Sequence, residues 1–390
     1  MNTCISNASR TISLCLCALA FGAGLAALGA APVITNLTMV AGVVRFDVQS
    51  DLGLTNQIQC CTNLGQPQWK VLTNLVVSES PYEYVDTGAA AVSQRFYRVE
   101  ELVSIAPPPP GMVLIPAGSF PMGNCMASGE GDPDELPLHT VYVSAFYMDR
   151  YEVTKALWDE VKAWNAGNGY TYECAGSGKA ATHPVQRVSW RDCAKWCNAR
   201  SQKEGLVPCY YNESGLSTVY KTGTGTPHPK WNANGYRLPT EAEWEKAARG
   251  GVSGHRFPWS DPDTIQHTWA NYLSYPGYPY DTSLTREYHP TFDDDVDPYT
   301  SPAGYFAPNG YGLYDMAGNV WEWCWDWYSS SYYSSSPSNN PRGPASVGGF
   351  RVLRGGSWQS HAHVARCADR SLNDPEGAAG TFGFRCVRGL

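Results

Sequence analysis

The sequence predicts an α+β protein in which a loop-rich domain of short strands and a few short helices follows a small all-β, sandwich-like unit. Three observations predict it. Residues 32–104 alternate apolar and polar positions in the runs VITNLTMVAGVVRFDVQS, TNQIQCCTNL, QPQWKVLTNLVV and QRFYRVEEL, broken by Gly, Asn and Ser. Such period-two alternation is the mark of strands with one buried face. Residues 107–110 are four consecutive prolines, a stiff extended spacer that separates two units. Beyond them the chain is rich in turns and aromatics. Of 390 residues 38 are Gly and 28 Pro, aromatics make up 13% and charged residues only 16%, which disfavours both long helices and disorder.

In chain order, Arg10 precedes an apolar run over 12–28 and the small residues Gly29, Ala30 and Ala31. This is the pattern of a secretory signal peptide, residues 1–31, cut near Ala30 or Ala31. The run is shorter than the ~20 residues a spanning helix needs, so the mature chain is expected to be secreted or periplasmic, with no transmembrane helix. Cleavage removes Cys4, Cys15 and Cys17 from the 13 cysteines and leaves ten in an oxidising compartment, where disulfides persist. The sequence holds no CxxC pair, so disulfides suit these cysteines better than thiolate metal sites. Residues 32–104 are expected to form six or seven strands. Their end, DTGAAAVSQRFYRVE, resembles the last strands of fibronectin-like modules on secreted bacterial proteins. Cys60 and Cys61, being adjacent on a strand, face opposite sides and are not expected to pair with each other.

The linker, 105–110, leads into a domain over 111–390. It opens with GMVLIPAGSFPMGN, a strand, a turn and a second strand, then the acidic loop GEGDPDELP and the strand VYVSAFYMD. A helix is expected over 155–164 behind Thr154. In SWRDCAKWCNARSQKEG, Ser189 with Asp192 three residues on starts a second helix, which Gly205 stops. Cys193 and Cys197 share a face of it. In RLPTEAEWEKAARGG, Thr240 and Glu243 repeat the cap, Trp244 and Ala248 fall on one stripe, and Gly250 ends the helix.

The formal net charge of −8, with no basic run, argues against nucleic acid or an anionic membrane surface as partner. Gly223 and Gly225 do not make a phosphate loop, because no strand leads into them and no Gly-Lys-Ser/Thr follows. No catalytic residue follows from spacing alone.

The stretch over 311–327, YGLYDMAGNVWEWCWDW, packs four tryptophans among Asp315, Gly318, Asn319, Glu322 and Asp326. RVLRGGSW (351–358) and GFRC (383–386) follow it. In order before them stand GMVLIPAGSFPMG, DRYEVTKALW, HPVQRVSW, YRLPTEAEWEKAARGG, ANY and PNGYGLYDMAGNVWEW. Over 111–390 this set resembles the formylglycine-generating enzyme family, also called the sulfatase-modifying factor domain. The resemblance implies an irregular, loop-rich fold related to C-type lectins and usually bound to calcium. In the family's enzymes it also implies an oxidase that converts a sulfatase cysteine to formylglycine with copper and dioxygen.

Carried over residue by residue, one structural calcium site matches the carboxylates of Asp315 and Glu322 and the carbonyls of Gly318 and Val320. A second matches Asn271 with the carbonyl of Tyr272, and Asp295 with the carbonyl of Asp297, inside the acidic run DDDVD. Mixed carboxylates and carbonyls suit a hard cation that takes about six to eight oxygens. The copper site does not carry over. The family's enzymes place two cysteines five apart after GGS-aromatic-x, where this chain reads GGSWQSHAHVARCADRS, with Ser360 and Ala365 in their places. A hydroxyl is a poor ligand for copper(I) and a methyl is none, so copper is not expected.

The expected function is therefore a non-catalytic binding or accessory protein. Its groove after Trp358, with Trp358, Ser360, His361, His363, Arg366 and Arg370 as contacts, would hold a peptide, glycan or protein ligand. The alternative is an oxidoreductase that forms formylglycine, or performs a related oxidation, at a non-standard metal site built from His361, His363 and Cys367. The resemblance also pairs Cys197 with Cys386 in a disulfide. Cys367, whose usual partner position is Ala248, is then left to Cys324.

Overall fold

Alternation in the first hundred residues builds two facing antiparallel sheets. The structure, a computed structural model, describes residues 2–6, 15–17, 33–40, 43–49, 55–63, 68–76, 80–89, 94–102, 108–126, 129–259, 261–345 and 349–390. The chain divides into two units, Met1–Ala106 and Pro107–Leu390.

In the first unit one sheet has the order Val33–Val40, Val43–Gln49, Tyr82–Asp86. Val44, Phe46 and Val48, every second residue of the central strand, point inward and are buried. They pack on Ile58, Tyr97 and Val99 of the other sheet, in which Thr55–Cys61 lies between Lys70–Val76 and Gln94–Leu102. Each such apolar side chain contributes roughly 1.5–3 kcal/mol when fully buried. Tyr97 satisfies its hydroxyl by donating to Asp86 at 2.7 Å.

Two segments of the expected signal peptide, Asn2–Ser6 and Cys15–Cys17, are strands that continue this second sheet from Gln94–Leu102. The open N–H and C=O groups of a sheet edge accept any extended segment beside them, which the leader's composition does not reveal. The expected cleavage site, and residues 105–107 of the linker, lie outside the described residues.

Among its described residues the second unit has three α-helices, each starting at the cap its sequence announces. Thr154 caps α1 (Lys155–Asn165), accepting from Leu157 N. Ser189 caps α2 (Trp190–Lys203), and Thr240 with Glu243 closes a reciprocal capping box on α3 (Glu241–Ala248). A cap of this kind contributes about 1 kcal/mol. Among the described residues no helix is long and apolar enough to cross a membrane.

The tryptophan-rich stretch forms the strand Trp321–Trp327, inside a sheet ordered Ser371–Asn373, Arg351–Arg354, Trp321–Trp327, Phe382–Gly383. It is tied to α2 and to the segment just before it through indole N–H groups: Trp190 donates to the carbonyl of Cys324 at 2.7 Å, and Trp323 to that of Val188 at 3.1 Å. Trp325 stacks on Tyr210 at 5.3 Å. Behind them Trp158 and Trp196 lie parallel, with Phe384 edge-on to both. Two groups of loops are held by this core. The turn over 315–320 enters the Trp321–Trp327 strand, and the segment 355–370 leaves the Arg351–Arg354 strand.

Candidate functional site

The turn before the tryptophan strand is shaped by three residues of positive φ, Asp315 (56°), Gly318 (81°) and Asn319 (60°). Gly318 is fixed by space as well. A Cβ there would meet the carbonyl oxygen of Asn271 at 2.2 Å, so any side chain would push the two loops apart. Asn319 N donates to that same carbonyl at 2.8 Å. The two expected calcium loops therefore touch, through Asn271 and the Gly318–Asn319 backbone.

Asp315 is buried. Its Oδ2 accepts from Gly304 N at 2.6 Å, while its Oδ1 has no hydrogen-bond partner among the described residues. Burial lifts its carboxyl to about 6. Glu322 is fully engaged, taking Arg385 Nε and Nη2 at 2.7 Å each and Trp244 Nε1 at 2.8 Å. Val320 lies against a third carboxylate that sequence reasoning missed. Glu152 accepts from Val320 N at 3.2 Å and from Asn319 Nδ2 at 2.6 Å. Burial raises its carboxyl well above the usual range, and the charges of Asp315 and Glu322 raise it further. An acidic residue flanked by Tyr151 and Val153 just before a helix cap was the available signal.

Asn271 is also buried, with Nδ2 donating to the carbonyl of Tyr299 at 2.8 Å and Oδ1 unpartnered among the described residues. The Tyr272 carbonyl faces His267 Nε2 at 3.1 Å. Asp295 and Asp297 lie on an exposed loop, Asp297 standing 3.6 Å from Arg187. The unpartnered oxygens of Asp315 and Asn271 fit a cation. Glu322 is already satisfied by Arg385, so its part in such a site requires sharing.

The segment after Trp358 is a wall. Trp358 is itself buried, packed on Tyr288 and Tyr299 at 5.6 and 5.2 Å. The Ser360 hydroxyl is tied to Ser357 N and Oγ at 3.0 Å. Ala365 is fully buried in a cluster with Phe257, Ile265 and Tyr272. His361 and His363 are half-buried, their rings 6.3 Å apart. Around them stand tyrosines that spacing did not single out. Tyr275 lies 5.3 Å from His361, and Tyr278 stacks on His363 at 4.8 Å. The run YPGYPY (275–280) was the available signal. Leu273 bridges to His361 and joins this loop to the wall.

For the two arginines the structure differs from the sequence expectation. Arg366 is 1% exposed, forked onto Glu135 at 2.6 and 2.8 Å, with Nε on the carbonyl of His363. Arg370 is 6% exposed and forked onto Glu241 at 2.7 and 2.9 Å. A buried guanidinium requires such a carboxylate, so both residues clamp the scaffold and neither faces the groove. Cys367 belongs to the apolar cluster of Trp244 and Cys324, where burial pushes its thiol up to about 12. It is not a reactive or ligating thiol in that state, and among the described residues it does not converge with His361 and His363. Cys197 and Cys386 meet with sulfurs 3.6 Å apart, as thiols in contact rather than a formed disulfide, and Cys324 and Cys367 are likewise free.

What this face offers chemically is a patch of aromatic and imidazole rings, Tyr275, Tyr278, His361 and His363, while the Cys367 thiol lies in the apolar core. A sulfatase-modifying factor enzyme 1-like domain matches residues 100–390. The formylglycine-generating enzyme of Streptomyces coelicolor is 35% identical over 279 residues, 67% of this chain and 84% of that one. The chaperone protein LppX of Paenibacillus barcinonensis is 34% identical over 264 residues, 65% and 80% of the two chains. In three dimensions, variable protein 1 of Treponema denticola superposes with a TM-score of 0.55 at 29% identity, over 72% of this chain and 95% of that one. Together with the capped helices, the tryptophan strand and the paired loops around Gly318, these likenesses place the chain in the sulfatase-modifying factor family.

Proposed function

We propose that this chain is a secreted binding or accessory member of its family, without the family's thiol-dependent oxidase chemistry. The observation that carries the reading is the chemistry at Ser360 and Ala365. Where the resemblance puts a copper-binding thiol pair, one position is a hydroxyl hydrogen-bonded to Ser357 and the other a methyl enclosed in the core. The ligand would lie on the ring patch of His361, His363, Tyr275 and Tyr278. Flat rings with polar edges suit an extended peptide or a glycan, by stacking and by hydrogen bonds from the imidazoles. A relative bearing a chaperone's name supports a binding role.

Calcium is proposed as the structural ion of the loops around Asp315 and Asn271, supported by their buried, unpartnered oxygens. It would neutralise carboxylates that Arg385 alone does not balance.

The test combines a peptide-oxidation assay with metal analysis of the purified full chain. No turnover of a cysteine-containing sulfatase peptide, with copper and oxygen supplied, is expected. Turnover, or a stoichiometric transition metal lost in His361→Ala, would establish the oxidoreductase reading instead. Calcium should raise the melting temperature of the wild type and have a smaller effect on Asp315→Asn.

A further inference from the structure

The acidic loop over 129–135 and the turn that carries His363 meet at a carboxylate group used neither by the proposed calcium loops nor by the ring patch. Oxygens of Asp132, Glu135 and Asp369 all lie within 4.8 Å of one another. Asp132 is exposed, whereas Glu135 and Asp369 are 0% and 2% exposed. Among the described residues one guanidinium, Arg366, reaches two of the three. Arg366 Nη2 lies 2.6 Å from Glu135 and 3.7 Å from Asp369 Oδ1. The other arginines nearby are committed elsewhere, Arg256 to Glu130 and Asp263, and Arg354 to Glu245. Three carboxylates against one guanidinium leave a formal charge of −2.

A second observation is independent of that count. Asp369 Oδ2 is buried and has no hydrogen-bond partner among the described residues. Leaving a charged oxygen bare in the interior is costly, so some positive species must meet it.

We propose that Asp132, Glu135 and Asp369 hold a divalent cation of the hard, oxygen-seeking class, namely calcium, at a site separate from the loops around Asp315 and Asn271. A calcium ion keeps its oxygens at ~2.3–2.6 Å, so ligands across it can stand roughly 5 Å apart, which accommodates this set. The donors are all carboxylate oxygens, with no thiol or imidazole to favour a softer metal. Glu135 Oε1 accepts from Asp132 N at 3.0 Å, which holds these two ligands in one compact turn. The exposed side, at Asp132, leaves the remaining coordination to water.

The site has a structural consequence. Arg366 donates through Nε to the carbonyl of His363 at 2.6 Å. An ion shared by Asp132 and Asp369 would fasten the acidic loop to the segment that follows the turn Ala362–Ala365, which carries His363. The rival occupant of Asp369 is a proton, because burial pushes its carboxyl well above the usual range.

The experiment is equilibrium dialysis of calcium against the purified full chain and two variants, Asp132→Asn and Asp369→Asn, at neutral pH. Each variant is expected to bind one calcium fewer per chain than the wild type. Asp132 is exposed, so its substitution tests the site even where Asp369→Asn fails to fold. Wild-type stoichiometry in Asp132→Asn would overturn the proposal and leave the proton as occupant. The proposal does not rest on the functional reading above. Asp315→Asn, measured alongside, reports on the other loops separately, so either set can fail without hiding the other.

Discussion

Arg385 grips Glu322 through two parallel hydrogen bonds of 2.7 Å, and both side chains are fully buried. This guanidinium is the cation that faces Asp315, Glu152 and Glu322 together, and all three carboxylates feel its charge or lend it theirs. Removing one partner of a buried pair leaves the other uncompensated, which costs more than the pair contributes. Arg385→Ala is expected to lose ~3–5 kcal/mol of unfolding free energy. Calcium should restore part of the loss, because it supplies the missing positive charge to the same loops. Urea unfolding with and without calcium measures both quantities. A loss below about 1 kcal/mol would mean that water already reaches these carboxylates.

The wall after Trp358 separates into residues that hold the fold and residues free to bind. Trp358 is 4% exposed and packed on Tyr288 and Tyr299, so Trp358→Ala should cost ~3–5 kcal/mol. Tyr275, 49% exposed, should change stability by no more than about 0.5 kcal/mol when truncated. If the ring patch binds the ligand, Tyr275→Ala and His361→Ala should each weaken binding by about tenfold, the scale of one lost ring contact. Calorimetric melting together with a binding titration separates the classes. Equal binding by wild type and both variants would remove the patch from the site.

The contrast between those residues shows what a sequence can disclose. Thr154, Ser189 and Thr240 announce their helices because a cap is decided by a partner three residues away. Val44, Phe46 and Val48 announce a buried strand face for the same local reason. Arg366 and Arg370 could not be placed this way, since their carboxylates, Glu135 and Glu241, lie 231 and 129 residues earlier. Nothing within a few residues distinguishes a guanidinium facing a groove from one locked in a core. The aromatic loop over 275–280 was visible as an odd composition, but its meeting with His361 and His363 depends on the Leu273 bridge, a contact between loop segments 88 residues apart. Glu152 was hidden for a different reason: its burial beside Asn319 follows from packing of the whole domain.

Cys197 and Cys386 stand with sulfurs 3.6 Å apart at the join between α2 and the C-terminal segment. Burial raises both thiols above their ordinary range, which makes them slow to react as thiols while the fold is intact. In an oxidising compartment the pair is expected to close. Opening it should cost ~4–5 kcal/mol in the chain-entropy model, because the loop spans most of the domain. A peptide map of unreduced, denatured protein should show the two peptides joined. Complete alkylation of both cysteines without reductant would exclude the bond.

Lys246 gives a prediction that depends on pH. It is 5% exposed on α3, and its ammonium donates to the carbonyls of Gly118 at 2.8 Å and Val143 at 3.3 Å, with no carboxylate partner among the described residues. It lines a cavity of about 210 Å³ with Ser119, Arg249 and Tyr311. Burial without a counter-charge disfavours the ammonium and lowers the amine from 10.5 to about 8. Between pH 8 and 10.5 the unfolded chain therefore carries a proton that the folded chain has released. The slope of unfolding free energy with pH follows the protons bound in the unfolded state minus those in the native state, so this lysine makes stability rise with pH across that window. Below pH 8 both states are protonated and the burial penalty is constant. Lys246→Met should remove the rise, so wild type gains on the variant as the pH is taken from 8 to 10 in parallel urea titrations. Carbon-13 methylation of the lysines offers a direct check, in which one resonance, absent in Lys246→Met, should titrate near pH 8. A Lys246 resonance that titrates with the exposed lysines would show that the cavity admits enough water to solvate the charge.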